Sequence, residues 1–128
     1  IESLIIDDHF NPDISSLILN YSLISLKRIE IGDGCFKNVN RFVIDGLNEL
    51  ETISIGKVNF SIDDAIQRGS SCLIMNCDQL KQFHFGRDSF CWYESFELKN
   101  LPSLTSIQFD VDAFFWSHLI VFESKKIE

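Results

Sequence analysis

The chain has 128 residues and a formal net charge of -8, and its length suits one domain. This acidity disfavours a nucleic acid or an anionic membrane surface as a partner, because both would repel the chain. Apolar residues make up 45% of the sequence, but no apolar run is long enough to cross a bilayer. We therefore expect a folded domain that does not insert into a membrane.

Short apolar alternations follow one another along the chain, beginning with Ile1, Leu4 and Ile6 and then Leu17 and Leu19. Such alternation, rich in Ile and Phe, predicts strands with one buried face. Four later segments share a single set of apolar offsets: Leu23-Leu26-Ile29-Ile31-Phe36, Leu47-Leu50-Ile53-Ile55-Phe60, Cys77-Leu80-Phe83-Phe85-Phe90 and Leu101-Leu104-Ile107-Phe109-Phe114. We call the fourth member of each segment its register position: Ile31, Ile55, Phe85 and Phe109. These positions are 24, 30 and 24 residues apart, which places extra residues within roughly 61–71 of the third coil.

A second alternation lies between successive register positions and predicts a second strand in each coil. Its apolar pairs are Phe42 and Ile44, Cys72 and Ile74, Phe96 and Leu98, and Ile120 and Phe122. We expect bends near Gly32, Gly56 and Gly86, where glycine takes a positive φ at little cost. One coil cannot bury its own apolar face, whereas stacked coils bury a continuous core. The pattern thus predicts an all-β, right-handed β-solenoid with about five coils of about 24 residues and two parallel sheets. We interpret residues 1–128 as one solenoid domain, either complete or part of a longer array.

The repeated segments resemble the strand signature of leucine-rich repeats. The sequences LKRIEI, LETISI, LKQFHF and LTSIQF carry it, and IGDGCF, IGKVNF, FGRDSF and FDVDAF follow them. Together they resemble the two-strand-per-coil repeat of bacterial and protist surface antigens, a resemblance that implies an adhesive or interaction module. The chain departs from ordinary leucine-rich repeats because no Asn follows the strand. Gly34, Val58, Asp88 and Asp112 stand three residues after the register position, so we do not expect an asparagine ladder.

The cysteines are predicted to be structural thiols. Cys72 and Cys77 form a C-x4-C pair, but no second pair or His follows at the spacing of a zinc site. Cys77 takes a slot that is Leu in sister coils, and Cys35 shares its slot with Ser89 and Ala113, as expected of small packing groups. A disulfide and a metal site are the alternatives. Reduced thiols favour an intracellular compartment, and the sequence predicts no metal or other cofactor.

Two exposed surfaces are candidate binding sites. The first is the outward side of the first sheet: Thr52, Ser54, Gln82, His84, Ser106 and Gln108. The second is an outward apolar row on the other sheet: Val43, Leu73, Met75 and Val121. We find no catalytic motif and expect a non-catalytic protein-protein interaction or scaffold module, whose partner is an unidentified protein or a second copy. The alternative is a parallel β-helix enzyme acting on polysaccharide, which requires carboxylates clustered on one sheet.

Overall fold

The computed structural model describes residues 1–62 and 69–113 and, for the backbone only, 119–123. The strands are β1 (Ser3–Ile6), β2 (Ser16–Leu19), β3 (Arg28–Ile31), β4 (Arg41–Asp45), β5 (Thr52–Ile55), β6 (Ser71–Met75), β7 (Gln82–Phe85), β8 (Ser95–Lys99), β9 (Ser106–Phe109) and β10 (Leu119–Glu123). A 3-10 turn covers Tyr21–Leu23, and the described residues contain no α-helix. Of the extra residues predicted near 61–71, residues 63–68 lie outside the described part, and β6 begins at Ser71.

The strands alternate between two parallel sheets. One sheet has the order β1-β3-β5-β7-β9, and the other has the order β10-β8-β6-β4-β2. Because each strand pairs with the strand two places further along the chain, the backbone winds as a coil, and the predicted all-β solenoid with two parallel sheets is confirmed. The path from β1 to β9 completes about four turns. The predicted count of about five coils is therefore slightly too high when complete turns are counted.

Lateral pairing follows the register that the repeat predicts. In the first sheet, Ile6, Ile31, Ile55, Phe85 and Phe109 stand side by side in one column. In the second sheet, Leu17, Phe42, Cys72, Phe96 and Ile120 do the same. Because side chains alternate between the two faces of a strand, these columns put the apolar side chains of β3 to β8 between the sheets.

The core between the sheets is rich in stacked aromatic rings. Phe36, Phe60 and Phe90 follow the register position by five residues in successive coils, and their rings stack at 5.1 Å and 4.7 Å. Tyr93 meets Phe90 edge to face at 5.1 Å, and its hydroxyl donates to the carbonyl of Val39. These side chains are fully or almost fully buried. Each stabilises the fold by roughly 1.5–3 kcal/mol through burial alone.

The glycines after the first-sheet strands have a different role from the one predicted. Gly32, Gly56 and Gly86 lack the positive φ that we expected of them; the positive-φ glycines are Gly34, Gly46 and Gly69. A Cβ on Gly86 would overlap the backbone carbonyl of Gly56, and one on Gly56 would overlap Asp33 and the backbone of Gly32. Glycine is needed here because successive turns approach each other closely, not because the backbone is left-handed.

Left-handed backbone occurs instead at other positions of the same turn. The third residue after the register position has positive φ in each described coil: His9, Gly34, Val58, Asp88 and Asp112. The fifth residue has it at Phe36, Phe60 and Phe90. Non-glycine residues adopt this conformation at a free-energy cost, so the stacking and burial of the phenylalanine rings must offset local backbone strain.

A ladder of side-chain hydrogen bonds also links the turns. The fourth residue after the register position donates to a carbonyl one coil earlier: Cys35 Sγ to Asp7 O at 3.1 Å, Asn59 Nδ2 to Gly32 O at 2.6 Å and Ser89 Oγ to Gly56 O at 2.8 Å. After the second-sheet strands, Asn100 Nδ2 donates to Asn76 Oδ1 at 2.8 Å, and Asn76 Nδ2 donates to Asp45 Oδ1 at 3.0 Å. Asn59 is the one asparagine in the described ladder after the first-sheet strands, so no asparagine ladder forms there, whereas Asn76 and Asn100 link turns after the second-sheet strands.

Candidate binding surfaces

The outward side of the first sheet carries two lateral rows of polar side chains, which we call the polar face. Thr52, Gln82 and Ser106 pair laterally in one row, and Ser54, His84 and Gln108 pair in the next. Four of these side chains are exposed, and Thr52 and His84 are half-buried. Because the strands are parallel and in register, similar groups recur from coil to coil along a regular surface.

The polar face continues into the earlier coils with a different character. Arg28 and Glu30 are the lateral neighbours of Thr52 and Ser54, and their side chains form an ion pair at 3.5 Å. Ile5, beside Glu30 at the end of the sheet, is 56% exposed. The surface thus changes from uncharged polar groups to charged and then apolar groups along the solenoid axis.

His84 has an acidic partner that the sequence reasoning missed. The pairing gives it the lateral neighbours expected from the repeat, Ser54 and Gln108. In addition, Nε2 of His84 lies 3.1 Å from Oδ2 of Asp110, and Gln108 Nε2 donates to Oδ1 of the same carboxylate at 3.4 Å. A signal was present: Asp110 directly follows a register position, where three earlier coils have Gly32, Gly56 and Gly86.

This His-Asp pair does not make a catalytic triad. A triad requires the hydroxyl of a nucleophile on the second ring nitrogen, and no hydrogen bond between Ser54 and His84 is found in the described residues. The pair is half exposed, and an ion pair in such a setting stabilises a fold weakly.

A shallow acidic groove lies beside the polar face at the first coils. Its volume is about 570 Å³, and its lining includes Asp7, Asp8, Glu30, Ser54 and Ile5. Part of this acidity is structural, because Oδ1 of Asp8 accepts the backbone N–H of Asp33 at 2.7 Å. The repeat pattern gives no sign of this groove, because Asp7 and Asp8 lie beyond the end of β1, where the apolar alternation stops.

The outward apolar residues of the second sheet lie where the repeat places them. Val43 pairs laterally with Leu73, and Val121 completes the same row beyond Glu97. Met75 lies two residues further along β6. The row also extends to Ile18, which was not predicted and is 45% exposed.

The exposure of this apolar row is limited. Val43 is only 7% exposed although it faces outward, Leu73 and Met75 are half-buried, and the side chain of Val121 lies outside the described residues. Glu97, which interrupts the row, forms an ion pair with Lys99 at 3.6 Å. The exposed apolar area is therefore small in the described part, which makes this row the weaker of the two surfaces.

The four cysteines are free, and their environment suppresses thiol chemistry. Burial raises the pKa of Cys72 well above its ordinary value and raises the pKa of Cys77 to about 11. Burial, followed by the nearby carboxylates of Asp88 and Asp112, raises the pKa of Cys91 to about 11. A thiol must ionise to act as a nucleophile or a metal ligand. In the described part of the chain, no three His, Cys, Asp or Glu side chains are placed to hold a metal ion.

No family model, curated protein or solved structure matches this chain. Across the residues that the structure describes, no helix has the length and apolar character to cross a membrane.

Proposed function

We propose that this chain is a non-catalytic protein-binding or scaffold module of the leucine-rich-repeat type, of the adhesive kind. The observation that carries the proposal is the polar face, where two rows of side chains recur laterally across β5, β7 and β9. Solenoids commonly bind through such extended surfaces, and a partner then spans several coils.

The chemistry of the polar face suits a protein partner. Its amide, hydroxyl and imidazole groups both donate and accept hydrogen bonds. The neighbouring groove adds the carboxylates of Asp7, Asp8 and Glu30, which favour basic side chains at the edge of the partner. A nucleic-acid partner is disfavoured, since the net charge of -8 opposes a phosphate backbone.

The test begins with a pull-down by the immobilised chain and mass spectrometry, and the protein captured is then used for quantitative binding. The double variant Ser54→Glu with His84→Glu should weaken binding at least about tenfold, because a partner seated on the polar face would bury two charges that have no counterpart at the centre of the contact. The matched control, Leu73→Glu with Val121→Glu, puts the same number of charges on the opposite sheet and should leave the affinity unchanged. Both double variants should keep the circular dichroism spectrum of the parent chain.

If the Leu73→Glu, Val121→Glu variant loses binding and the Ser54→Glu, His84→Glu variant keeps it, the site lies on the apolar row of Val43, Leu73, Met75 and Val121. If both double variants bind as tightly as the parent chain, neither surface is the binding site.

One observation favours a second candidate function, that of a parallel β-helix enzyme acting on polysaccharide. The acidic groove brings Asp7, Asp8 and Glu30 together, and glycoside hydrolysis uses a pair of carboxylates across the bond that is cleaved. Incubation with a panel of polysaccharides tests this alternative, with Glu30→Gln as the control. Release of reducing sugar by the parent chain that the variant loses would establish the enzyme and contradict the binding module.

A further inference from the structure

His84 stands at the centre of the polar face, and one carboxylate holds its imidazole. The lateral neighbours of His84 in its row are Ser54 and Gln108. Nε2 of His84 lies 3.1 Å from Oδ2 of Asp110, and the two side chains are 40% and 39% exposed. A partner can therefore reach the ring, although one of its nitrogens is already bonded within the chain.

The place of Asp110 in the repeat brings about this contact. Gly32, Gly56 and Gly86 occupy the equivalent position in three earlier coils and have no side chain to offer. The backbone N–H of Asp110 donates to the carbonyl of Phe85 at 3.0 Å, and each of the three glycines makes the equivalent bond. This bond fixes the root of the Asp110 side chain just beyond the end of β9, one coil after the strand that carries the imidazole.

The contact with Asp110 decides which hydrogen-bonding groups His84 presents. An ionised carboxylate only accepts hydrogen bonds, so Nε2 must carry the proton in this contact. In a neutral imidazole the other nitrogen, Nδ1, is then an acceptor. No hydrogen bond to Nδ1 is found in the described residues. Gln108 is exposed, and its Nε2 donates to Oδ1 of Asp110 at 3.4 Å. Donors of both side chains are thus committed to the carboxylate, while Nδ1 of the imidazole remains open at the surface.

We propose that Asp110 is a positioning residue for the binding site on the polar face. It holds the imidazole of His84 in the tautomer with the proton on Nε2 and presents Nδ1 as an acceptor. The partner therefore supplies a hydrogen-bond donor at this point, such as an amide N–H. A partner without a donor there buries the lone pair of Nδ1 unpaired, which weakens its binding. The inference rests on the function proposed above and adds the chemistry that the partner needs at the centre of the contact.

Nitrogen-15 NMR of the imidazole measures the tautomer in the chain itself and needs no partner. At about pH 8, where an ordinary imidazole is neutral, Nε2 of His84 should give the chemical shift of a protonated nitrogen and Nδ1 that of an unprotonated one. Asp110→Gly introduces the residue of three earlier coils and removes the acceptor. The shifts of the two nitrogens should then move towards each other, because the tautomers mix.

Asp112→Gly is the matched control for this measurement. It removes one carboxylate from the same turn, at a position where an earlier coil has Gly34, and it should leave both nitrogen shifts of His84 unchanged. A proton on Nδ1 in the parent chain overturns the proposal. Identical nitrogen shifts in the parent chain and in Asp110→Gly overturn it as well, because the carboxylate then does not set the tautomer.

Binding of the protein captured by the immobilised chain tests the role of Asp110 in recognition. Asp110→Gly should weaken binding about fivefold, which corresponds to one net hydrogen bond, whereas Asp112→Gly should not change it. Asp110→Asn keeps an oxygen that accepts from Nε2 and should bind within about twofold of the parent chain. If Asp110→Asn loses as much affinity as Asp110→Gly, the partner responds to the charge of Asp110, and the positioning role is wrong.

The same measurements separate this inference from the proposed function. If the double variant Ser54→Glu with His84→Glu loses binding and Asp110→Gly does not, the polar face stands and the role of Asp110 is overturned. If neither variant loses binding, the polar face is not the site, and the proposed function and this inference fail together.

Discussion

Asn59 is a buried polar side chain on which two adjacent turns depend. It is 0% exposed, and its Oδ1 accepts the backbone N–H of Cys35 at 2.8 Å. Its Nδ2 donates to the carbonyl of Gly32 at 2.6 Å. Asn59→Ala removes both hydrogen bonds and leaves the buried N–H of Cys35 without this acceptor. Each net hydrogen bond contributes about 1 kcal/mol, and an unsatisfied buried group costs about 1–3 kcal/mol. We therefore expect Asn59→Ala to destabilise the fold by about 2–4 kcal/mol.

The structure supplies both an intermediate variant and a control. Asn59→Ser introduces the side chain that the next coil has at the equivalent position. There the hydroxyl of Ser89 donates to the carbonyl of Gly56 at 2.8 Å. This variant keeps a donor for Gly32 and should lose roughly half as much stability as the alanine variant. Asn48→Ala is the matched control, because Asn48 is exposed, and it should change stability by less than about 0.5 kcal/mol.

Urea unfolding followed by circular dichroism measures these differences as free energies of unfolding. Equal effects of Asn59→Ala and Asn48→Ala would refute the assigned role of Asn59. Asn59→Ser as destabilising as Asn59→Ala would refute it too, since the hydrogen bond to Gly32 would then contribute nothing.

Three further predictions concern the core, the thiols and the strained turn. Ile55→Ala and Phe85→Ala should each reduce the free energy of unfolding by about 2–5 kcal/mol, because both side chains are fully buried. Ser54→Ala should change it by less than about 0.5 kcal/mol. Equal losses at Ile55 and Ser54 would contradict the assignment of Ile55 to the inner face and Ser54 to the outer face. Burial raises the pKa of the Cys77 thiol from 9.0 to about 11, so the unfolded chain loses this proton first and stability should fall as the pH rises from about 9 to about 11. Urea titrations across this pH range should show that the free energy of unfolding falls less steeply with pH in Cys77→Val than in the parent chain. Identical pH dependence in the two proteins would show that the thiol is not the cause. Val58 is a β-branched residue with a φ of 58°, and Asn adopts this conformation at a lower cost. Val58→Asn should therefore raise the free energy of unfolding, measured with urea, by about 1 kcal/mol. A lower free energy of unfolding would show that the packing of Val58 outweighs its strain.

The sequence by itself determined the architecture and the inner face. Five apolar positions recur at fixed offsets in four segments. Side chains with so regular a spacing are all buried together when the strands stack laterally in register. The columns through Ile55 and Phe85 and the outward placement of Ser54 and His84 follow directly from that alternation. The free thiols of Cys72 and Cys77 also followed from the repeat, because these two cysteines occupy slots that sister coils fill with Phe or Leu.

Only the tertiary structure decided what depends on contacts between turns. The sequence suggested that Gly86 is needed for a positive φ. It is needed instead because two coils approach each other so closely that a Cβ on Gly86 would overlap Gly56, and this distance cannot be read from the sequence. The ladder through Asn59 and the pairing of His84 with Asp110 join residues 27 and 26 positions apart. Each depends on side-chain direction in an irregular turn, where no alternation exists to predict it.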